Sequence, residues 1–292
     1  MKISGFTIIR NAVLNDYPIV EAISSILPVV DEMIVSVGDS DDETAELIRG
    51  IRSDKIKIVS SSWDMNLREG GKVLAIETDK ALQHVSPDAD WAFYIQGDEV
   101  VHEKYHAIIR ETAEKYKDDK QVDGLLFHYL HFYGTYDYVG DSRRWYSREV
   151  RIIRNDKSIS AYLDAQGFRR NGQKLAVKPV NAYIYHYGWV KSPKKMFEKQ
   201  RNVGHFWQDG FFEAPPTIDK EALFDFNNHY DSLQRFTGTH PAVMQKRVAG
   251  QNWNIELDTG RKQFSLKEKL LYWIEKKTGK RLFEFRNYKI IR

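Results

Sequence analysis

The first hundred residues alternate between short apolar runs and stretches with apolar residues at helical spacing. The runs predict strands and the stretches between them predict helices. Predicted strands cover residues 6–9, 33–37, 56–59 and 91–95, and predicted helices cover residues 17–27, 45–51 and 69–85. Because repeated strand–helix units are joined by right-handed crossovers into parallel sheets, this part predicts an α/β fold.

The pattern changes after residue 100. A helix is predicted over 103–116 and strands over 124–133, 149–153 and 182–186, without regular helices between the later strands. This predicts a mixed sheet flanked by helices. Beyond Lys191 the chain becomes rich in aromatic residues, with helical patterns over 193–202, 241–248 and 265–277. We therefore expect a catalytic domain over 1–190 and a helical, aromatic-rich extension over 191–292.

Composition limits the classes of function. The 292 residues include no cysteine, which excludes disulfides, thiolate metal sites and a cysteine nucleophile and fits a reducing compartment. The formal net charge is only +3, too small to indicate nucleic-acid binding over the whole surface. No run approaches the ~20 apolar residues of a membrane span, and the first residues lack a signal-peptide core. A cytoplasmic protein is expected, with peripheral contact at the inner membrane surface left open.

Polar residues follow each of the first four predicted strands. Because the carboxyl ends of parallel strands form the ligand-binding edge of an open sheet, these clusters should converge there. Paired carboxylates suit a hard divalent cation, and such a cation suits a diphosphate. The alternative is that loops are polar by chance, and for Asp41 and Asp42 helix capping is an equal alternative. In chain order the clusters contain Arg10 and Asn11, Asp39 and Asp41, Arg68 and Lys72, and Asp98 and Glu99.

Standard phosphate-binding motifs are missing from the sequence. It contains no G-x-x-x-x-G-K-[ST], and no G-x-G-x-x-G follows the first strand. This weighs against P-loop nucleoside triphosphatases and Rossmann dehydrogenases. It favours folds that bind a nucleotide through carboxylates and a metal.

Three segments, residues 6–11, 33–44 and 91–99, resemble family 2 glycosyltransferases of the GT-A fold. The resemblance covers roughly the first two-thirds of the chain. It implies that the second segment lies under a nucleoside and that the third is the D-x-D metal motif. Here that motif reads Gln96-Gly97-Asp98, so an amide replaces its first carboxylate, and Ser36 stands where the family often has aspartate.

The resemblance also implies roles for single residues. Asp98 is the expected metal ligand, with Glu99 compensating for the missing carboxylate and Gln96 hydrogen-bonding a ribose hydroxyl. His186 completes the shell of a manganese or magnesium ion, or alternatively is a partly buried histidine in an aromatic cluster. Asp164 is the candidate general base, although the family residue near there is usually glutamate. Its alternative is an ordinary surface loop.

Two further patterns have two readings each. In the strand over 124–133, His128 and Leu130 face one side, while Tyr129, His131 and Tyr133 face the other. Aromatic side chains on one face of a strand could stack on a sugar ring. The same pattern is equally typical of a strand that is half-buried under a loop. Residues 265–292 mix lysines with aromatic and aliphatic residues, which suits either an anionic membrane surface or packing on the catalytic domain with a solvated basic face.

The expected function is transfer of a sugar from a nucleotide-sugar donor to a hydroxyl of a glycan or lipid-linked acceptor. The resemblance implies an inverting, metal-dependent enzyme of cell-surface glycan synthesis. One alternative is a nucleotidyltransferase, which should carry a glycine-rich loop after the first strand where this chain has Arg10 and Asn11. The other is a catalytically weakened member that binds nucleotide sugars, as Gln96 and Ser36 would suggest.

Overall fold

The computed structural model describes residues 1–67, 70–206 and 223–291, with residue 205 described by its backbone alone. The strands are β1 Ile3–Ile9, β2 Glu32–Gly38, β3 Ile56–Ser61, β4 Trp91–Tyr94, β5 Glu99–Val101, β6 Gly124–Gly134, β7 Tyr138–Gly140, β8 Arg148–Arg154, β9 Ile159–Tyr162, β10 Gly167–Arg170, β11 Gln173–Lys174, β12 Ala176–Val190, β13 Leu233–Arg235 and β14 Lys289–Ile290. The α-helices are α1 Ile19–Ile26, α2 Thr44–Arg49, α3 Lys72–Leu82, α4 His106–Tyr116, α5 Pro193–Val203, α6 Gln245–Ala249 and α7 Leu266–Thr278. Short 3₁₀ turns cover Glu103–Tyr105, Gly204–Phe206, Phe226–Asn228 and Ala242–Met244.

One large mixed sheet organises the molecule, in the order β13-β7-β6-β8-β4-β1-β2-β3. Strand β1 pairs in parallel with both β2 and β4, and β2 pairs in parallel with β3. Strand β8 then runs antiparallel to β4 and β6, while the long β12 lies parallel to β6 and antiparallel to β5. The predicted mixed α/β sheet flanked by helices is confirmed.

Helices cover the first half of the sheet on both faces. In β4, Trp91 and Phe93 point into a core that also contains Ile19 and Ile23 of α1. The alternate residues of β4 point into a second core with Val73 of α3. Every residue of β1 and β2 is buried, as expected for parallel strands covered on both faces, and the buried residues include the polar Ser4, Thr7, Glu32 and Ser36.

Helix α3 begins later than predicted. The pattern predicts a start at residue 69, but Gly70 and Gly71 have φ angles of 55° and 71°, in the left-handed region. A right-handed helix cannot continue through two such residues, so α3 begins at Lys72. The glycine pair thus forms the turn that precedes the helix.

The sequence reasoning missed a small second sheet and the return of the chain end. Strands β9, β10 and β11 form a three-stranded antiparallel sheet. They are short and polar, and therefore lack the apolar alternation that identifies a strand. Strand β14 pairs in parallel with the start of β12, which attaches the end of the described chain to the main sheet. Among the described residues, no helix is long and apolar enough to cross a membrane.

Glu149 on β8 is a buried carboxylate with an unsatisfied oxygen. Its side chain lies near Gly167 and Asn287, and among the described residues its Oε2 has no hydrogen-bond partner. Burial raises the pKa of Glu149 to about 8. The folded state therefore binds this proton more tightly than the unfolded state. Stability should fall as the pH rises from the ordinary glutamate range through about 8.

Glu149→Gln should remove this pH dependence, because the amide stays neutral. Between pH 5 and pH 8, the wild type should lose about 3.5 kcal/mol more unfolding free energy than the variant, because the unfolded chain releases this proton well below the folded pKa of about 8. Urea denaturation at both pH values measures this, with the exposed Glu111→Gln on α4 as control. Equal pH dependence of the wild type and Glu149→Gln would contradict the assignment.

Candidate functional site

A cavity of about 260 Å³ lies where β1 and β4 end at the carboxyl edge of the sheet. Polar residues that follow these strands, side chains of β12 and one face of α5 line it. The polar and charged lining residues include Arg10, Asn11, Asn15, Gln96, Asp98, Asp164, His186, Lys199, Gln200 and Asn202. The strand-end clusters after β1 and β4 therefore meet, together with three later segments: the turn that carries Asp164, strand β12 and helix α5.

The residues after β1 and β2 form one hydrogen-bonded unit. Arg10 Nε donates to the Asp39 carbonyl at 2.9 Å, and its Nη2 lies 3.3 Å from Asp41 Oδ2. The Asn11 side chain accepts from the Asp41 N–H at 2.7 Å. Arg10 and Asn11 line the cavity, whereas Asp39 and Asp41 are not among its lining residues, so the structure does not bring these two carboxylates into it. Asp42, not Asp41, accepts from the Thr44 N–H at the start of α2, so helix capping does not account for Asp41.

Glu99 does not face the cavity. Its carboxylate accepts from Arg151 Nε at 2.8 Å and Nη2 at 2.7 Å, and from the Tyr129 hydroxyl at 2.6 Å. Glu99 and Arg151 are both fully buried. The prediction of Glu99 as a metal ligand is therefore wrong, because its oxygens are occupied by an internal ion pair.

Asp98 is the carboxylate that reaches the cavity from this turn. Its Oδ2 lies 3.4 Å from Lys199 Nζ, and its Oδ1 lies 3.7 Å from His186 Nε2. Lys199 also donates to the Gly188 carbonyl at 3.0 Å. Burial alone would raise the pKa of Asp98, but the positive charge of Lys199 is the largest of the opposing contributions, which together outweigh burial and lower it. Asp98 is therefore ionised at neutral pH.

Gly188 makes this close approach possible. A Cβ atom at this position would lie 2.7 Å from Asp98 Oδ2 and 2.8 Å from His186 Nε2. Real Cβ atoms do not come so close to neighbouring atoms, so any larger residue would displace Asp98 or His186. The glycine on β12 thus sets the spacing between the carboxylate and the imidazole.

Asp98 and His186 could share a divalent cation. Their facing atoms are too far apart for a hydrogen bond. They are near enough for both to contact one ion with bonds of about 2.1 Å. A carboxylate and a neutral imidazole suit manganese. Within the described ranges no three His, Asp or Glu side chains gather into a metal site, so the ion would need ligands from water and a diphosphate.

Asp164 lies in the cavity wall, on the turn between β9 and β10. Its neighbours Leu163 and Ala165 have φ angles of 55° and 61°, both in the left-handed region. Such conformations cost a non-glycine residue about 1–2 kcal/mol and are found where surrounding structure holds them in place. The turn therefore presents Asp164 to the cavity in a restricted orientation.

Of the three remaining predicted nucleotide-binding residues, one lines the cavity, one does not, and one lies outside the described residues. Gln96 lines the cavity, and its Nε2 lies 3.4 Å from the Ala165 carbonyl. Lys72 is exposed at the start of α3 and is not among the cavity-lining residues, so the structure does not bring it into the site. Arg68 lies outside the described residues.

Helix α5 contributes residues that the sequence reasoning missed. Met196, Lys199, Gln200 and Val203 line the cavity from one face of this helix. Their spacing of three and four residues was a readable signal, since it places a lysine on a buried helical face. The cavity thus takes residues from both sides of the predicted domain boundary at 190. Trp63 and Phe206 add an aromatic wall, with ring centroids 6.0 Å apart.

No protein-family model and no curated protein sequence matches the chain. Several solved structures are similar to it. S. aureus TarS 1–349 in complex with UDP has a TM-score of 0.41 and 18% identity, over 73% of this chain and 68% of that chain. The chain spans 39% of the longer S. aureus TarS structure.

Two other similar structures belong to different proteins. The 4-diphosphocytidyl-2C-methyl-D-erythritol synthase of Anaerococcus prevotii has a TM-score of 0.41 and 12% identity, over 68% of this chain and 94% of that chain. Glucosyl-3-phosphoglycerate synthase from Mycobacterium tuberculosis, in complex with Mn²⁺, UDP and phosphoglyceric acid, has a TM-score of 0.29 and 22% identity, over 44% of this chain and 43% of that chain.

Glu99→Gln should destabilise the fold even without metal. The amide leaves the buried Arg151 guanidinium without its counter-charge, which should cost about 3 kcal/mol of unfolding free energy. Urea denaturation in EDTA measures the loss. Glu114→Gln, which breaks the exposed pair with Lys117, should cost less than about 1 kcal/mol. A Glu99→Gln protein as stable as the wild type in EDTA would contradict the ion-pair role.

Proposed function

We propose that the protein is a glycosyltransferase that moves a sugar from a nucleotide-diphosphate donor to an acceptor hydroxyl. One observation carries the proposal. A single cavity at the carboxyl ends of β1 and β4 combines the Asp98–His186 pair with the cationic Lys199 and Arg10, and has a separate carboxylate, Asp164, in its wall. The pair with its two cationic neighbours suits a diphosphate, and the separate carboxylate of Asp164 suits an acceptor hydroxyl.

The donor would lie along the strand ends. Lys199 and Arg10 place positive charge where the diphosphate would bind, and Gln96 is available to a ribose hydroxyl. Trp63 and Phe206 offer aromatic faces on which a nucleobase can stack. A divalent cation held by Asp98 and His186 would offset the negative charge of the diphosphate as it leaves.

Asp164 would act as the general base. The acceptor oxygen forms a bond to the anomeric carbon, and the bond from that carbon to the diphosphate oxygen breaks. Its electron pair leaves with the diphosphate, and the acceptor proton goes to the Asp164 carboxylate. Attack from the side opposite the leaving group inverts the configuration of the sugar. The motif resemblance over residues 6–11, 33–44 and 91–99 supports this reaction class.

We further propose a glycan or lipid-linked acceptor of cell-surface glycan synthesis, on the basis of α7. This helix is oriented with its polar face toward the protein: Tyr272 and Lys276 contact Asp141 at 2.5 Å and 2.6 Å, and Glu275 accepts from Arg143 at 2.9 Å. The sequence of this segment predicts either packing on the catalytic domain or membrane contact. The observed contacts attach the helix without burying its apolar face.

That apolar face is open to solvent. Leu266, Leu270 and Trp273 follow one another at helical spacing and are 86%, 58% and 59% exposed. Beyond the helix, Phe283 is 87% exposed and has a φ angle of 57°. We define these residues, with Phe285, as the apolar ridge. A surface helix normally hides such a face, so the ridge indicates an interaction surface.

The charge beside the apolar ridge suits an anionic lipid surface. Exposed basic side chains lie in the same segment of the chain and outnumber the acidic ones there. A basic rim with aromatic and aliphatic residues is typical of segments that lie in the membrane interface. The basic side chains are Lys267, Lys269, Lys277, Lys280, Arg286 and Lys289. A protein held there would work at the inner surface of a membrane, beside lipid-linked acceptors.

Asp164→Asn should abolish transfer without loss of donor binding. We expect turnover to fall about 100-fold or more, because the acceptor proton loses its base. The affinity for the donor, measured calorimetrically, should change less than about twofold. UDP and UDP-GlcNAc, which the matched TarS structures hold, are the first probes in a panel of nucleotide sugars, each tested with and without Mn²⁺. The exposed Asp118→Asn is the control.

Three outcomes would count against these assignments. Full transfer by Asp164→Asn would exclude Asp164 as the base. Release of pyrophosphate from a nucleoside triphosphate and a sugar phosphate would indicate a nucleotidyltransferase. Failure of the wild type to bind any nucleotide sugar, with or without Mn²⁺, would overturn the proposed function.

Removing the apolar ridge should weaken lipid binding. The double variant Trp273→Ser, Phe283→Ser should bind vesicles of phosphatidylcholine and phosphatidylglycerol about tenfold or more weakly, since two apolar side chains no longer enter the interface. Co-sedimentation measures the bound fraction. Vesicles of phosphatidylcholine alone should bind the wild type weakly, and Leu47→Ser on α2 is the control. Equal binding by the double variant, or dimers formed through the ridge, would contradict the proposal.

A further inference from the structure

We propose that His131 is a positioning residue that fixes the hydrogen of His186 on Nδ1, so that the lone pair of His186 Nε2 faces Asp98. The proposal rests on the proposed function, because it concerns how the cavity would hold a divalent cation. His131 does not itself line the cavity and would act on the site only through His186.

The contacts of His131 fix its own tautomer. Its Nε2 lies 2.9 Å from the carbonyl oxygen of Tyr146. A carbonyl oxygen only accepts hydrogen bonds, so we assign the hydrogen of His131 to Nε2. The ring is 3% exposed and stacks on Trp145 at 5.2 Å between centroids. In the neutral ring, a hydrogen on Nε2 leaves the lone pair on Nδ1, so His131 Nδ1 is an acceptor.

The state of His186 follows from that of His131. The two Nδ1 atoms are 3.2 Å apart, within hydrogen-bonding distance. Because His131 Nδ1 is an acceptor, His186 Nδ1 must be the donor. The neutral His186 ring then has a lone pair on Nε2. That atom lies 3.7 Å from Asp98 Oδ1, which is itself an acceptor.

Two acceptors thus face each other across the gap beside Gly188. The arrangement is unfavourable unless a cation or a hydrogen-bond donor lies between them. Lys199 contacts the other oxygen of Asp98 and leaves Oδ1 directed at His186. The opposite arrangement, with a hydrogen on His186 Nε2, would require His131 to donate from both ring nitrogens and therefore to carry a buried charge. The observed contacts favour the arrangement that prepares His186 as a ligand.

Metal-binding histidines are commonly oriented by a partner on the other ring nitrogen, and removing that partner lowers metal affinity 10–100-fold. His131→Leu removes the acceptor while keeping an apolar side chain of similar bulk. His131→Asn retains an oxygen close to the position of Nδ1 and should accept the same hydrogen bond. His128→Leu is the matched control, because His128 lies on the same strand with its ring stacked on Tyr183 at 4.9 Å.

The experiment has two readouts on the full chain. Long-range ¹H–¹⁵N spectra of ring-labelled histidine, recorded in EDTA, report the tautomer of His186. Calorimetric titration of Mn²⁺ into the UDP-bound protein reports ion affinity. We expect an Nδ1–H tautomer in the wild type, His131→Asn and His128→Leu, and a mixed or Nε2–H tautomer in His131→Leu. Mn²⁺ affinity should fall about tenfold or more in His131→Leu, and less than about threefold in the other two variants.

Several results would overturn the inference. An Nε2–H tautomer in the wild type would do so, and so would unchanged tautomer and Mn²⁺ affinity in His131→Leu. If His131→Leu does not fold, loss of Mn²⁺ affinity in a folded His131→Asn that keeps the tautomer would also contradict it. A wild type that binds UDP but no Mn²⁺ would overturn the role toward an ion and leave nucleotide binding intact. Absence of UDP binding would instead count against the proposed function, while the tautomer is still read without ligand.

Discussion

The buried ion pair between Glu99 and Arg151 is the interaction on which the site depends. Glu99 receives two hydrogen bonds from Arg151 and one from the N–H of Gln96, which fixes the turn that carries Asp98. Arg151 also donates to the carbonyl of Gln166, two residues after Asp164. One pair of opposite charges therefore ties together the two loops that bring carboxylates to the cavity. Because its members are fully buried, neither can be removed without leaving an uncompensated charge.

Much of the sheet and the position of the cavity could be predicted from the sequence. The apolar run ending at residue 95 and the polar residues after it predict a strand that delivers a carboxylate to a ligand-binding edge, and the structure has this strand. The pattern cannot tell which of two adjacent carboxylates faces the cavity. Asp98 faces it and Glu99 faces the core, because successive residues around the turn and β5 point to opposite sides. The buried partner, Arg151, is more than fifty residues away, and no local signal marks it.

The parts that could not be predicted depend on packing between distant segments. Lys199 belongs to a helix that was predicted correctly, but its direction is set by how α5 packs against β12 and Tyr17. In the sequence His131 is one of several aromatic residues on a strand, and only its distance to His186 reveals that the two rings are hydrogen-bonded. The exposed apolar face of α7 was also unreadable, because periodicity identifies a helix face without saying what it meets.

The two left-handed residues that flank Asp164 have a consequence for how such a site can change. Leu163 and Ala165 each carry a conformational cost that glycine would largely avoid, so glycine at either position would relieve strain in the folded chain. Glycine would also permit many more backbone conformations, and the carboxylate between them would sample more directions. A less strained turn would therefore hold the Asp164 carboxylate in a less defined orientation. The Cβ atoms of Leu163 and Ala165 keep the turn rigid at the expense of global stability, and any attempt to make this protein more heat-resistant would meet that conflict first.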